Sequence, residues 1–349
     1  MVTLAEPINA LLLAFKTNNY TLAGSVLTLS TSGSGSIDTG GFNATIGSEI
    51  AGTVGLEKIS AGTLTLTSSN SFSGLTRVIL GTLTLSNAYA LGSAAEGTFV
   101  ENTNTAGGNG TTLNMVGSIA VNGESLTLSS HASGSNRSTF LSSSGSNVWN
   151  GPVALVGDYL VQLYSSAFLT VGGNVSGTCS MLLLRGSGNG WVSGQVNIGI
   201  GTLGKTDGGS WKISSTGNTW SNTLIAVGTI QLGANQALPA GAPIVFGQAS
   251  GTSAGTLDLG GFNQRVGDLS VIKTPGSQFI GNSSTTSDSV LTFDNNGASL
   301  FGGIIKNVLG TGTKRVALVV QNGSLTLTNA NPFTRIIHKV SWTGGWAAP

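Results

Sequence analysis

The chain has 349 residues, of which 8% are charged and 6% aromatic, with 54 glycines, a net charge of +1 and a mean hydropathy of +0.25. That balance argues against intrinsic disorder, which couples low hydrophobicity to high net charge, and against nucleic-acid binding, which needs a basic stripe interleaved with aromatics. The single cysteine, Cys179, excludes an intrachain disulfide framework; beside the apolar run 181–184 it reads as a buried, inert thiol.

Residues 1–7 carry no basic leader, and the apolar run 8–15 is too short to span a bilayer. The run INALLLAF followed by NNYTLAGSVLTLS predicts successive strands with a corner at Asn18 and Asn19, so the chain is expected to start inside a repeat array. Residues 33–50 predict strand, Gly-Gly corner, strand. The core of the pattern is residues 56–91, where Gly-Thr-Leu-Thr-Leu occurs at 62–66 and again at 81–85. Strict alternation of Leu with Thr sends Leu to one side of a pleated strand and Thr to the other. Residues 98–110 predict a surface loop, 112–130 further strands, and 131–137 a polar corner. Short apolar runs continue through 140–155 and 157–171, and the tetrad 181–184 reads as a strand buried on both sides. Pro239 and Pro243 mark a bend, and 283–288 a second loop.

Internal repetition decides the architecture. Residues 203–238 align with 56–91, matching Lys205 to Lys58, Asn218 to Asn70 and Gly228 to Gly81. GSLTLTNANPF at 323–333 aligns without a gap to GTLTLTSSNSF at 62–72. GTLDLGGFNQRVG at 255–267 aligns with GSIDTGGFNATIG at 35–47, pairing Asp258 with Asp38 and Asn263 with Asn43. These matched polar residues could ligate a shared ion or stabilise corners. Because no dense Gly-Gly-x-Gly-x-Asp run exists, the corner role is expected.

GTLTLTSSNSFSGLT followed by GTLTLSNAYALG, with SNVWNGPVAL, TLGKTDGGSWKIS and AGTLDLGGFNQRVG, resembles the autotransporter-associated β-strand repeat of bacterial autotransporter passenger domains. The resemblance covers residues 9–333. It implies an all-β, right-handed parallel β-helix (β-solenoid) displayed at the cell surface or extracellularly, here without a secretion signal or a membrane barrel. One solenoid array over 1–349 is expected, with 335–349 a non-repeat tail or junction segment. Rungs of roughly 20–25 residues, stacked at about 4.8 Å, would give about 14–17 rungs.

Phe72, Trp149, Trp220 and Phe333 each stand third in an Asn-x-aromatic motif. Such rings could stack on sugars, but repetition within one structural unit predicts a buried aromatic ladder instead. No cofactor is expected. The two histidines, His131 and His338, have no partner at metal-ligand spacing, and no phosphate loop or nucleophile elbow occurs. Carboxylate pairs Asp258 with Asp268, or Asp288 with Asp294, leave glycan cleavage as the enzymatic alternative. The expected role is non-enzymatic, a structural or adhesive surface protein, with a glycan-binding or glycan-cleaving module as the alternative. Charge is sorted along the chain: Glu6, Asp38, Glu49, Glu57, Glu96, Glu101 and Glu124 face only Lys16, Lys58 and Arg77 in residues 1–130. From 295 onward there are bases and no acids. End-to-end self-association is therefore expected, through a junction containing Lys314, Arg315, Arg335, Lys339, Trp342 and Trp346. The partners are further copies of the chain and a host or surface glycan.

Overall fold

The computed structural model describes residues 1–29, 35–102, 110–130, 137–251, 253–273 and 276–338, the last four of these by backbone alone. Most of the loop expected at 98–110 and of the corner at 131–137 lies outside them. So do Lys339, Trp342, Trp346 and the side chain of Arg335. Among the described residues every regular element is a strand. The chain divides into two compact units, Met1–Lys212 and Ile213–Pro349.

In the first unit one parallel sheet runs through Val2–Leu4, Tyr20–Gly24, Asn43–Ile46, Thr63–Leu66, Thr82–Leu85, Thr112–Met115, Thr139–Ser142, Leu160–Ser165, Met181–Arg185 and Thr202–Lys205. A second runs beside it from Leu12–Ala14 through Leu56–Ile59 and Leu126–Ser130 to Val196–Asn197. A third side is formed by Ile8–Ala10, Leu27–Leu29 and Ile50–Ala51, and further along by Ala120–Val121, Ser146–Trp149, Phe168–Val171 and Asn189–Val192. Successive turns of chain therefore add parallel strands to the first two faces, and to the third except between Ala51 and Ala120, which is a parallel β-solenoid. The second unit repeats the plan. Asn222–Ile225, Ile244–Phe246 and Leu269–Val271 form one face; Val227–Leu232, Ala254–Asp258, Phe279–Asn282 and Ile304–Val308 form another. Gln264–Val266, Ser289–Phe301, Val316–Leu327 and Arg335–His338 form the third.

The two Gly-Thr-Leu-Thr-Leu copies lie directly on one another, Thr63 on Thr82 and Leu64 on Leu83. Their leucines, Leu64, Leu66, Leu83 and Leu85, are buried, so the alternation fills the core as expected. The third copy ends the strand Val316–Leu327, where Leu325 and Leu327 are only half-buried. Rung length varies more than a fixed period implies: Thr63 pairs with Thr82, but Thr82 pairs next with Thr112. Most of the extra residues fall between Val100 and Thr112, largely outside the described residues, and the strands on either side keep their register. Residues 98–100 belong to a strand, Thr98–Val100, rather than to the expected loop.

Corners follow local chemistry. Asn19 turns the chain at φ 57°, and Gly40 at φ 57°. Asp38 accepts a hydrogen bond from the Gly40 amide at 2.8 Å and from Ser60 at 2.6 Å. Its repeat partner Asp258 accepts from Gly260 at 2.9 Å and from the Ser283 amide at 2.9 Å. Both close an Asx turn and tie it to the next rung.

Candidate functional site

The repeated Asn-x-aromatic motif is a corner clamp. Asn70 accepts from the Ile50 amide at 2.8 Å and donates to the Ala90 carbonyl at 2.5 Å, joining three successive rungs. Asn147 accepts from Ile119 at 2.9 Å and donates to the Met115 and Ser144 carbonyls, and Asn218 donates to Ala237 at 2.7 Å. Asn331 accepts from Ile305 at 2.7 Å. The paired rings Phe72, Trp149 and Trp220 are buried, while Phe333 is half-buried. The ring partner of Trp149 is Phe140, at 5.3 Å and 74°, not another member of the motif. Among the described residues the motif aromatics make no ring-on-ring stack within either unit; each fills the corner of its own rung. The asparagine, not the ring, carries the rung-to-rung bond.

Two lysines were not visible as structural residues. Lys58 and Lys205, matched in the repeat, are both fully buried. Lys58 donates to the carbonyls of Ile59 (2.9 Å), Ser60 (2.6 Å) and Leu80 (2.9 Å). Lys205 donates to Thr206 at 2.5 Å and Asp207 at 2.6 Å. Each corner is completed by a residue at positive φ, Ser60 at 69° and Asp207 at 62°. Burial pushes both ammonium groups down to about 8, opposed by Asp38 at the first and Asp207 at the second. The signal was present in the alignment, but lysine defaults to the surface. Cys179 is buried, and burial pushes its thiol up to about 11, which makes it a poor nucleophile.

The carboxylates do not assemble as the two expected pairs. Asp258 is spent on its corner, and Asp288 accepts from the Arg315 amide at 2.8 Å. The other member of each pair, Asp268 and Asp294, lies in one open groove of about 520 Å³ with Arg265, Asn295, Asn296 and Asn322. Register explains the meeting: Arg265 pairs with Thr292 on the next strand, and Asp294 pairs with Asn322 on the one after. Pairing then slips between Asp294 and Ala298, a bulge that carries 295–297 outward as the lip of the groove. Asp294, with its side chain 6% exposed, faces Arg265 at 2.5 Å and accepts from Asn322 Nδ2 at 2.7 Å. Ser299 donates to Asp268. Among the described residues no three His, Cys, Asp or Glu side chains gather as a metal site.

Of the expected junction residues, Arg315 is exposed and Lys314 half-buried. The acid excess of residues 1–130 is partly consumed locally: Arg77 pairs with Glu57 at 3.1 Å and Glu101 at 2.6 Å, and Glu124 is buried.

The chain is 42% identical over 127 residues to the adhesin BmaC autotransporter of Brucella suis biovar 1 (strain 1330). That stretch is 36% of this chain and 3% of the relative's length, so the chain spans a small part of that protein. No family model matches the chain, and no solved structure matches it. The likeness and the parallel β-solenoid together fit an autotransporter passenger-like β-helix.

Proposed function

We propose that the chain is a non-enzymatic structural and adhesive segment displayed at the cell surface. The observation that supports this most is the likeness to an adhesin autotransporter, carried on a stack whose asparagines, lysines and aspartates serve its own corners. Backbone bonds run from rung to rung, apolar side chains fill the interior, and the single cysteine forms no intrachain disulfide. Such a scaffold presents a surface; it does not need to change shape to act. Beads coated with the purified chain should adhere to host epithelial cells above albumin-coated beads. Equal retention of the two would defeat the reading.

Copies of the chain associate through opposite charge, the acid-richer residues 1–130 of one copy meeting the base-rich region from 295 onward of another. Glu6 and Glu96 on one side, and Arg315 on the other, make no ion pair among the described residues. A heterologous contact of this kind extends into open filaments where its rotation does not close a ring. Sedimentation velocity at low salt should show species larger than a monomer, reduced by Lys314→Glu with Arg315→Glu. A monomer at every salt concentration ends this part of the reading.

A further inference from the structure

We propose that the groove formed by Arg265, Asp268, Asp294, Asn295, Asn296 and Asn322 binds an uncharged oligosaccharide, and that this is the adhesive contact; the inference rests on the proposed adhesive role.

The lining offers both halves of a hydrogen bond. Guanidinium and amide nitrogens donate, carboxylate and amide oxygens accept, and both kinds line one open groove. A sugar hydroxyl donates and accepts at once, so a polyhydroxylated chain can satisfy both kinds of group. An anionic ligand would meet two carboxylates against one guanidinium, and that guanidinium is already engaged by Asp294. A bare cation would find Arg265 beside it and too few carboxylates to ligate it. An apolar ligand would leave the polar lining unpaired.

The groups are also fixed in advance. Asp294 is held between Arg265 and Asn322, and Asp268 by Ser299. Asn295 is held by the Gly297 amide at 3.3 Å and by Ser299 at 3.4 Å. Asn296, on the bulge, is exposed and makes no side-chain hydrogen bond among the described residues, so its amide is free for a ligand. Gly241 and Gly267 also line it; a Cβ on Gly241 would meet nothing within 4 Å, whereas one on Gly267 would lie 2.0 Å from the Gly241 carbonyl oxygen. The groove is therefore open beside Gly241, and its Arg265, Asn295 and Asn322 donors are ordered before a ligand arrives.

The test is a glycan array carrying neutral, acidic and amino-sugar oligosaccharides, probed with the whole chain and with Asn296→Ala/Asn322→Ala. Both positions are exposed, and thermal unfolding of the double variant checks that the fold is kept. The expected result is binding to neutral glycans, weakened about tenfold or more in the variant, as loss of two hydrogen bonds implies. Arg265→Gln serves as a second probe, since it removes the donor facing Asp294, and it should weaken the same glycans. Binding by both variants equal to that of the unaltered chain, or binding to acidic glycans alone, overturns the groove. So does an empty array for a chain whose coated beads still adhere to cells, an outcome that leaves the adhesive role standing. An empty array together with non-adherent beads overturns both.

Discussion

Single residues divide into those whose removal leaves a hole and those whose removal leaves an unpaired group. Trp149 and Trp220 are both buried, so replacing either by Ala should cost about 3–5 kcal/mol in unfolding free energy. Their indole nitrogens differ. Trp220 Nε1 donates to Thr223 Oγ1 at 2.8 Å, whereas Trp149 Nε1 has no partner among the described residues. Trp220→Phe should therefore cost about 1–3 kcal/mol more than Trp149→Phe by denaturant unfolding, and equal costs would disprove the distinction. Lys58 is a donor-only case. Lys58→Met keeps the stem but strands the Ile59, Ser60 and Leu80 carbonyls, so the loss should be about 2–4 kcal/mol despite the gain in hydrophobicity. Glu124 is 3% exposed and takes a hydrogen bond from Thr98 at 2.7 Å. Burial raises its carboxyl from 4.5 to about 7, with the Thr98 bond opposing. A raised acid holds its proton in the fold while the unfolded chain has lost it. Its stabilising contribution is thus complete below pH 4.5 and lost as pH rises through 7. In Glu124→Gln the thermal midpoint should lose this part of its fall between those values; an unchanged slope would refute the assignment.

At the scale of the element, the glycine that heads each Gly-Thr-Leu-Thr-Leu copy has a steric reason. A Cβ on Gly62 would lie 1.9 Å from the Phe42 carbonyl oxygen, and Gly81 sits at φ 74° with the Ala61 oxygen 2.5 Å away. Gly62→Ala must push one rung off the next, and should lower the thermal midpoint more than Thr63→Ala at the next position of the chain. Strands, alternation and corners were legible in the sequence because each is set within a few residues: Leu-Thr alternation chooses the face, and Asn19, Gly40 and Asp38 choose the turn. Rung length was less legible, since the 63-to-82 and 82-to-112 spacings share one strand motif and differ only in how many residues separate the paired strands. The Asn-x-aromatic motif was visible, yet its polar member was the one making the bond, because hydrogen bonding across rungs leaves no trace in composition. Of the groove, the carboxylates Asp268 and Asp294 were named but not their meeting. It depends on Arg265, Asp294 and Asn322 falling side by side through two strand pairings and a bulge.

For the molecule as a whole, the sparse charge sets what holds it together. Among the described residues the ion pairs are Arg77 with Glu57 and Glu101, Arg185 with Asp207, and Arg265 with Asp294. The pairs of Arg77 and Arg185 are partly exposed on both sides, and such pairs contribute about 0–1 kcal/mol each and weaken with salt. That leaves Arg265 with the nearly buried Asp294 as the one pair shielded on its acidic side. The alternative is a scaffold pinned by charge, which at 8% charged residues has little to work with. Stability instead comes from the buried Leu, Val and Ile of each rung and from parallel backbone ladders, both indifferent to ionic strength at moderate concentration. Raising salt from about 0.05 M to about 0.5 M sodium chloride should therefore shift the thermal midpoint by less than about 3 °C, while shortening the Debye length to a few ångströms. The same change should dissolve any charge-driven association seen by sedimentation. Folding and association are thus separable by one variable. A midpoint that falls steeply with salt would mean that ion pairs, and not apolar burial with backbone ladders, hold the stack together.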